Sequence, residues 1–231
     1  MRKSLLAVAA AAAFALPTAS RAQVTLGVRA GYSFPSGTAL SIPGQGTFSQ
    51  SDLTKGTIPI EFDASLDLPL GFSAGLYYSY GFGSVGNKLS QLCTGGATCN
   101  RPEIQRAGVQ AAFELPALLG FAPWVGAGYG IEMASFGVKN FTYGATPTTP
   151  PQPLTGNLDG NLRGWDASLQ AGLDFHFIPF IGFGPFVQVD FGQYTVQDIK
   201  LGALGTVAGG AVNPRSTHET VTVGVRGTIG L

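Results

Sequence analysis

Charge is what this chain has least of. Asp, Glu, Lys and Arg make up 11% of its 231 residues, less than half of the share of about 25% that soluble domains carry. Long apolar runs are equally scarce. After the N-terminal segment no stretch approaches the roughly 20 apolar residues that a membrane-spanning helix needs. Yet 45% of the chain is apolar, so a helical bundle is excluded and the apolar side chains must be distributed in some other way. Basic residues do not outnumber acidic ones, at 13 each, which excludes a nucleic-acid-binding charge balance. With two histidines and two cysteines, the chain offers no four-ligand zinc pattern. Glycine, by contrast, is abundant at 34 residues, about twice its ordinary share.

The N-terminus reads as a secretory signal. Arg2 and Lys3 supply positive charge, Leu5 to Leu16 form an apolar run too short for a comfortable span, and Pro17 ends it. Ser20-Arg21-Ala22 places small residues at the −3 and −1 positions of a cleavage site. The expectation is a signal peptide at 1–22 and a mature domain at 23–231. Cleavage removes Arg2, Lys3 and Arg21 and leaves 10 basic and 13 acidic side chains. No cysteine near the site suggests a lipid anchor. Export also exposes the chain to an oxidising compartment. Cys93 and Cys99, separated by Thr-Gly-Gly-Ala-Thr, are therefore expected to form a disulfide at a loop tip.

Period-two alternation appears eight times, each time the mark of a strand with one apolar face. The apolar rows run Val24–Phe34, Ile58–Leu68, Phe72–Phe82, Ala107–Leu115, Phe121–Ile131, Trp165–Phe177, Phe183–Phe191 and Val221–Leu231. The fifth is disturbed at its start by Pro123 and Trp124. None of the eight apolar faces carries a charge. The opposite faces hold Gly, Ser, Thr and a few charged residues, Glu132 and Asp174 among them, but no lysine. A soluble strand would show Lys and Glu to water there. Small residues instead suit the cramped inside of an eight-stranded barrel.

The connections alternate. Residues 35–56, 83–103, 134–162 and 196–217 read as long loops, and 69–71, 116–120 and 178–182 as short turns, the pattern of a transmembrane barrel with both termini in the periplasm. Within the third long loop, Thr146 to Pro153 is Pro-rich and cannot pair as a central strand. With this topology, Tyr32, Phe34, Tyr80, Phe82, Tyr129, Trp165 and Phe191 gather at one rim. Phe72, Phe113, Phe121, Phe175, Phe177 and Phe183 gather at the other. Two such girdles are expected at membrane interfaces.

On these residues the chain resembles the small eight-stranded outer-membrane barrels, the superfamily of the OmpA transmembrane domain and the OmpX and OmpW types. Val24-Thr25-Leu26-Gly27-Val28-Arg29-Ala30-Gly31-Tyr32 is similar to their opening strand, and Val221 to Leu231 to their closing strand. One departure is the final residue: such barrels usually end in Phe or Trp, which the barrel-assembly machinery recognises, and here it is Leu231. The resemblance implies an all-β, antiparallel up-and-down barrel in the bacterial outer membrane. It implies contact with outer-membrane lipid and lipopolysaccharide, passage through the assembly machinery, no cofactor and no peptidoglycan-binding domain.

The inward rows carry Arg29, Arg106 and Arg226 with Glu61, Asp63, Asp166 and Asp190. If the first and last strands close the barrel, Arg29 and Arg226 stand at similar heights, with Glu61 and Asp63 beside the first and Asp190 beside the second. Buried charges are normally paired, so an internal salt-bridge network is expected, with a gated ion path as the alternative. His176 and His218 are the sole candidate general bases, and no spacing nominates a nucleophile for either; an enzyme is not expected. Two roles remain open at this level. One is a structural or surface-interaction role through the long loops. The other is a narrow channel for small or hydrophobic solutes.

Overall fold

The computed structural model describes residues 23–42, 46–116, 120–143, 154–178, 180–202 and 206–231. The signal peptide expected at 1–22 and the Pro-rich run Thr146 to Pro153 lie outside these residues. Eight strands form a closed antiparallel ring: β1 (Val24–Ile42), β3 (Thr54–Asp67), β4 (Phe72–Val85), β6 (Glu103–Glu114), β7 (Phe121–Tyr143), β8 (Leu154–Ile178), β9 (Ile181–Leu201) and β10 (Thr206–Gly230). β10 pairs with β1 from Thr25↔Gly230 to Gly37↔His218 and so closes the ring. Two short strands lie off it, β2 (Gly46–Ser49) against β1 and β5 (Thr98–Cys99) against β7. Two short helices lie among the described residues, α1 (Gln50–Leu53) and α2 (Asn87–Gln91).

The apolar rows face outward. Phe62 is 58% exposed, Leu169 60% and Val225 60%, in company with Leu26, Val28, Leu76, Val109, Val125 and Ile131. A water-soluble protein does not surround itself with such a continuous apolar band; a bilayer does accept it, because closure of the ring leaves no strand edge unpaired. Aromatic pairs, most of them edge-to-face, mark both rims of the band. Tyr32–Phe34, Tyr80–Phe82 and Tyr129–Trp165 have ring centroids 4.9, 4.8 and 6.2 Å apart at one rim. Phe72–Phe113 and Phe121–Phe175 lie 4.8 and 4.9 Å apart at the other. At that second rim the turn Pro69–Gly71 reverses the chain in three residues. Leu70 and Gly71 take left-handed φ of 69° and 83°, and a side chain on Gly71 would strike the Glu114 carbonyl oxygen at 2.4 Å.

The long connections differ from the sequence expectation. Much of 35–56, 134–162 and 196–217 is paired strand rather than loop: β1 runs to Ile42, β7 to Tyr143, and β8 and β10 begin at Leu154 and Thr206. The reason lies in the environment. Beyond the aromatic rim the outside of the barrel meets water, and the pattern inverts. Asp159, Asn161 and Arg163 point out, while Leu162 is buried. Buried Ala39, Leu40, Leu53, Leu162, Tyr194 and Val212 form an interior apolar cluster there, with Phe48, Ala134 and Phe136 packed against it. A second cluster joins Leu89, Ala97 and Val138 to Cys93 and Cys99.

Candidate functional site

The inside of the barrel is filled in tiers. In the tier nearer the short turns, Arg29 on β1 projects inward and meets the carboxylates of the neighbouring strand, Glu61 at 3.0 Å and Asp63 at 3.4 Å. Register places Glu61 directly beside it. It also donates across the lumen to Gln170 at 2.5 Å and Gln110 at 3.2 Å. Arg226 on β10 meets Asp174 at 3.3 Å. Between them lies Trp124, 2% exposed, whose ring centroid is 5.4 Å from the Arg29 guanidinium carbon and 4.5 Å from that of Arg226. The indole N–H donates to Asp174 at 3.1 Å. One aromatic ring thus serves two cations, an attraction that strengthens on desolvation.

The next tier centres on Arg106 of β6. It bonds Glu132 at 2.8 Å and Asp190 at 2.9 Å, and Gln188 donates to Asp190 at 2.7 Å. Glu132 also accepts from the Tyr194 hydroxyl and lies 3.1 Å from His218 Nε2. His218 stacks on Tyr194 with centroids 4.3 Å apart. Asp166, buried, receives the Tyr77 hydroxyl at 3.4 Å and has no arginine at ion-pair distance among the described residues. Gln50 of α1 donates to Tyr194 at 3.2 Å, which ties the tier to the cap above it.

That cap is the segment β2–α1. It folds over the far end of the lumen and inserts Gln50 and Leu53, both buried. The Ser49 side chain accepts from the Asp52 N–H, and the Asp52 carboxylate accepts from the Ser49 N–H, a reciprocal capping box. Asp52 also meets Lys88 of α2 at 3.0 Å. Burial pushes the Asp52 carboxyl up, but the bonds from Lys88 and Ser49 together outweigh it and hold the carboxyl below its ordinary value. Cys93 and Cys99 are joined, with Cα atoms 5.6 Å apart, in the loop after α2. At the opposite end the lumen opens into a vestibule of about 270 Å³, lined among others by Asp67, Glu114, Asp174, His176 and Arg226 and roofed by Trp124. Between the tiers lies a cavity of about 10 Å³, beside Arg29, Glu61 and Arg106.

Of the residues expected in the lumen, Arg29, Glu61 and Asp63 stand together, as do Arg106 and Asp190. The sequence expectation sets Asp190 beside Arg226, but the structure gives it to Arg106, and Arg226 takes Asp174 instead. Asp190 stands in register with Thr220, six residues along β10 from Arg226. Trp124, Glu132, Asp174 and Tyr194 are not among the residues expected in the network. Pro123 obscures the alternation in β7, yet Pro123 points outward and Trp124 inward without any break. Glu132 and Asp174 sit on inward rows, and their parity alone could nominate them. His218 is 2% exposed and faces Glu132 and Tyr194.

No family model matches the chain, and no curated protein is similar enough in sequence to match. Solved structures are similar in fold. A major outer membrane protein from Thermus thermophilus superposes with a TM-score of 0.50 at 13% identity, over 90% of this chain and 99% of that one. The fold is that of an outer-membrane β-barrel. Neisserial surface protein A has a TM-score of 0.47 at 9% identity, over 88% of this chain and 95% of its own. OprG from Pseudomonas aeruginosa has 0.46 at 10%, over 92% and 98%. At these identities the likeness is one of architecture, and the role must be argued from the barrel itself.

Proposed function

We propose that the protein is an integral barrel of the bacterial outer membrane, with its termini and short turns in the periplasm. Its lumen is plugged, and it acts through the surface that its extended hairpins and cap present outside the cell. The observation that carries this reading is the occupied lumen. Two tiers of paired charge and the β2–α1 cap stand between the vestibule and the outer mouth. In this reading Arg29, Glu61, Asp63, Arg106, Asp166, Asp190 and Arg226, with Asp174 and Glu132, are a structural plug and not a selectivity filter. Lipopolysaccharide and phospholipid surround the apolar band, and the barrel-assembly machinery inserts the chain.

Placement is tested by labelling intact cells with a membrane-impermeant maleimide. Gln91→Cys on the α2 side is expected to react on whole cells. Leu70→Cys, in a turn residue 87% exposed, is expected to react only after the outer membrane is permeabilised. The reverse order, or equal reaction of both on intact cells, would overturn the orientation.

A further inference from the structure

The outer wall of the barrel is not uniform above the aromatic rim. Register aligns Glu103 of β6 with Ser135 of β7 and Ser135 with Asn161 of β8. Together with Asn100, Arg101 and Asp159 they line an open cleft of about 260 Å³. Beside it, a methyl group on Gly137 would lie 2.9 Å from Asn100 Nδ2 and 3.2 Å from Asp159 Oδ1, so the missing side chain lets these two polar groups close in over the backbone. Amides, carboxylates and a hydroxyl around bare backbone provide both donors and acceptors, the complement that sugar hydroxyls require.

Cations flank this cleft. Arg101 lines it. Arg163 lies two residues before Trp165 and two after Asn161 on the same face of β8, and Lys139 lies two beyond Gly137 on β7. All three are exposed, and none takes part in an ion pair among the described residues. Elsewhere on the outer surface Lys88 and Lys200 are neutralised by Asp52 and Asp198. Height is the further clue. Asn161 is four residues beyond Trp165, and Ser135 six beyond Tyr129. At about 3.3 Å per residue on a strand tilted by about 40°, the cleft sits roughly 10–15 Å above the aromatic girdle. Arg163 falls between, where the phosphates of surrounding lipid lie.

We propose that this wall is a binding site for a phosphorylated saccharide carried on lipid, that is, the sugar–phosphate head of the glycolipid around the barrel. Asn100, Asn161, Asp159 and Glu103 hold sugar hydroxyls, Arg163 holds the phosphate at the level of the lipid, and Arg101 and Lys139 hold phosphate farther out on the core sugars. The site rests on the membrane reading above.

The test uses the full mature chain in phosphatidylcholine nanodiscs and native mass spectrometry. The probes are a rough lipopolysaccharide of diphosphorylated lipid A with inner-core sugars, its dephosphorylated form, and the free core phospho-oligosaccharide. One glycolipid per barrel is expected. Binding should weaken at least tenfold on dephosphorylation, in the combined Arg101→Ala, Lys139→Ala, Arg163→Ala variant, and in Gly137→Val, which displaces Asn100 and Asp159 from the cleft. The control Lys55→Ala, Lys88→Ala, Lys200→Ala removes the same charge elsewhere and should leave affinity unchanged. Equal affinity in the wild type and the first variant would overturn the site, as would equal loss in both variants. Tight binding of the free oligosaccharide would overturn the lipid-borne source. A chain that inserts into nanodiscs but fails these tests leaves the barrel reading intact; one that does not insert overturns both.

Discussion

Arg29 and Arg226 are register partners across the seam between β1 and β10 that closes the barrel, and both guanidinium groups lie over the ring of Trp124. Two like charges meet there because each has its own acid, Glu61 and Asp63 for one and Asp174 for the other. The seam is therefore held by backbone pairing and by a charge arrangement that no single strand supplies.

Removing one member of such a set leaves its partners buried and unpaired. Arg29→Ala is expected to cost about 3–5 kcal/mol, read as the urea midpoint of the barrel in phosphatidylcholine vesicles. In a Glu61→Gln, Asp63→Asn background the same substitution should cost far less, since no orphaned carboxylates remain. Equal losses in both backgrounds would show that the ion pairs are not coupled.

Gly172 in the lumen and Gly227 on the lipid side differ in the space around them. A Cβ on Gly172 would fall 2.6 Å from the Trp124 ring, so Gly172→Val should cost about 1–3 kcal/mol by overpacking. Gly227 faces the lipid side, with its nearest atom 3.8 Å away, and Gly227→Val should be neutral. Matched urea curves of the two variants check the contrast.

The cap has an acid limit. Because the Asp52 carboxyl titrates below its ordinary value of 3.8, its contribution is fully present above pH 3.8 and is lost as pH falls through the lowered value. The protection factor of the Gly86 amide, whose N–H donates to the Leu53 carbonyl at 2.8 Å, should be flat from neutral pH down to that range and then fall. Lys88→Met should move the onset upward. An onset unmoved by Lys88→Met would contradict the role of the pair.

The disulfide acts locally. Closing so short a loop contributes about 2 kcal/mol in the chain-entropy picture, and the bond ties the end of α2 to β5, which pairs with β7 beyond the aromatic rim and not within the apolar band. Reduction, or Cys93→Ser with Cys99→Ser, should raise protease cleavage within 87–99 while the barrel keeps its compact mobility in unheated gels. Loss of the folded barrel on reduction would place the bond in the core stability instead.

The membrane wrote itself into the sequence where it touches the protein. Lipid demands an unbroken outward row, so Leu26, Val28, Phe62, Val109, Leu169 and Val225 can be placed by parity alone, and ring closure follows from the number of rows. Above the rim that demand ends. Leu162 turns in and Asn161 out, the inverse pattern, and strands there read as loops. Inside the lumen, parity gives the facing direction but not the partner. Register, which a two-residue period does not reveal, decides that Asp190 serves Arg106 and that Asp174 serves Arg226. Trp124 is hidden by its neighbour Pro123, and Tyr194 by the distance in sequence to Glu132, Gln50 and His218.

Single-channel recording of refolded residues 23–231 in a planar bilayer tests the plugged lumen most directly. The account predicts an inserted barrel with no discrete conductance steps. It also predicts that steps appear when Trp124→Ala and Arg29→Ala, which empty the tier nearer the short turns, are combined with Arg106→Ala, which opens the tier beneath the cap, and Leu53→Asp, which loosens the cap itself. Reproducible steps from the wild-type chain would contradict it and return the inward charges to the role of a conduction path.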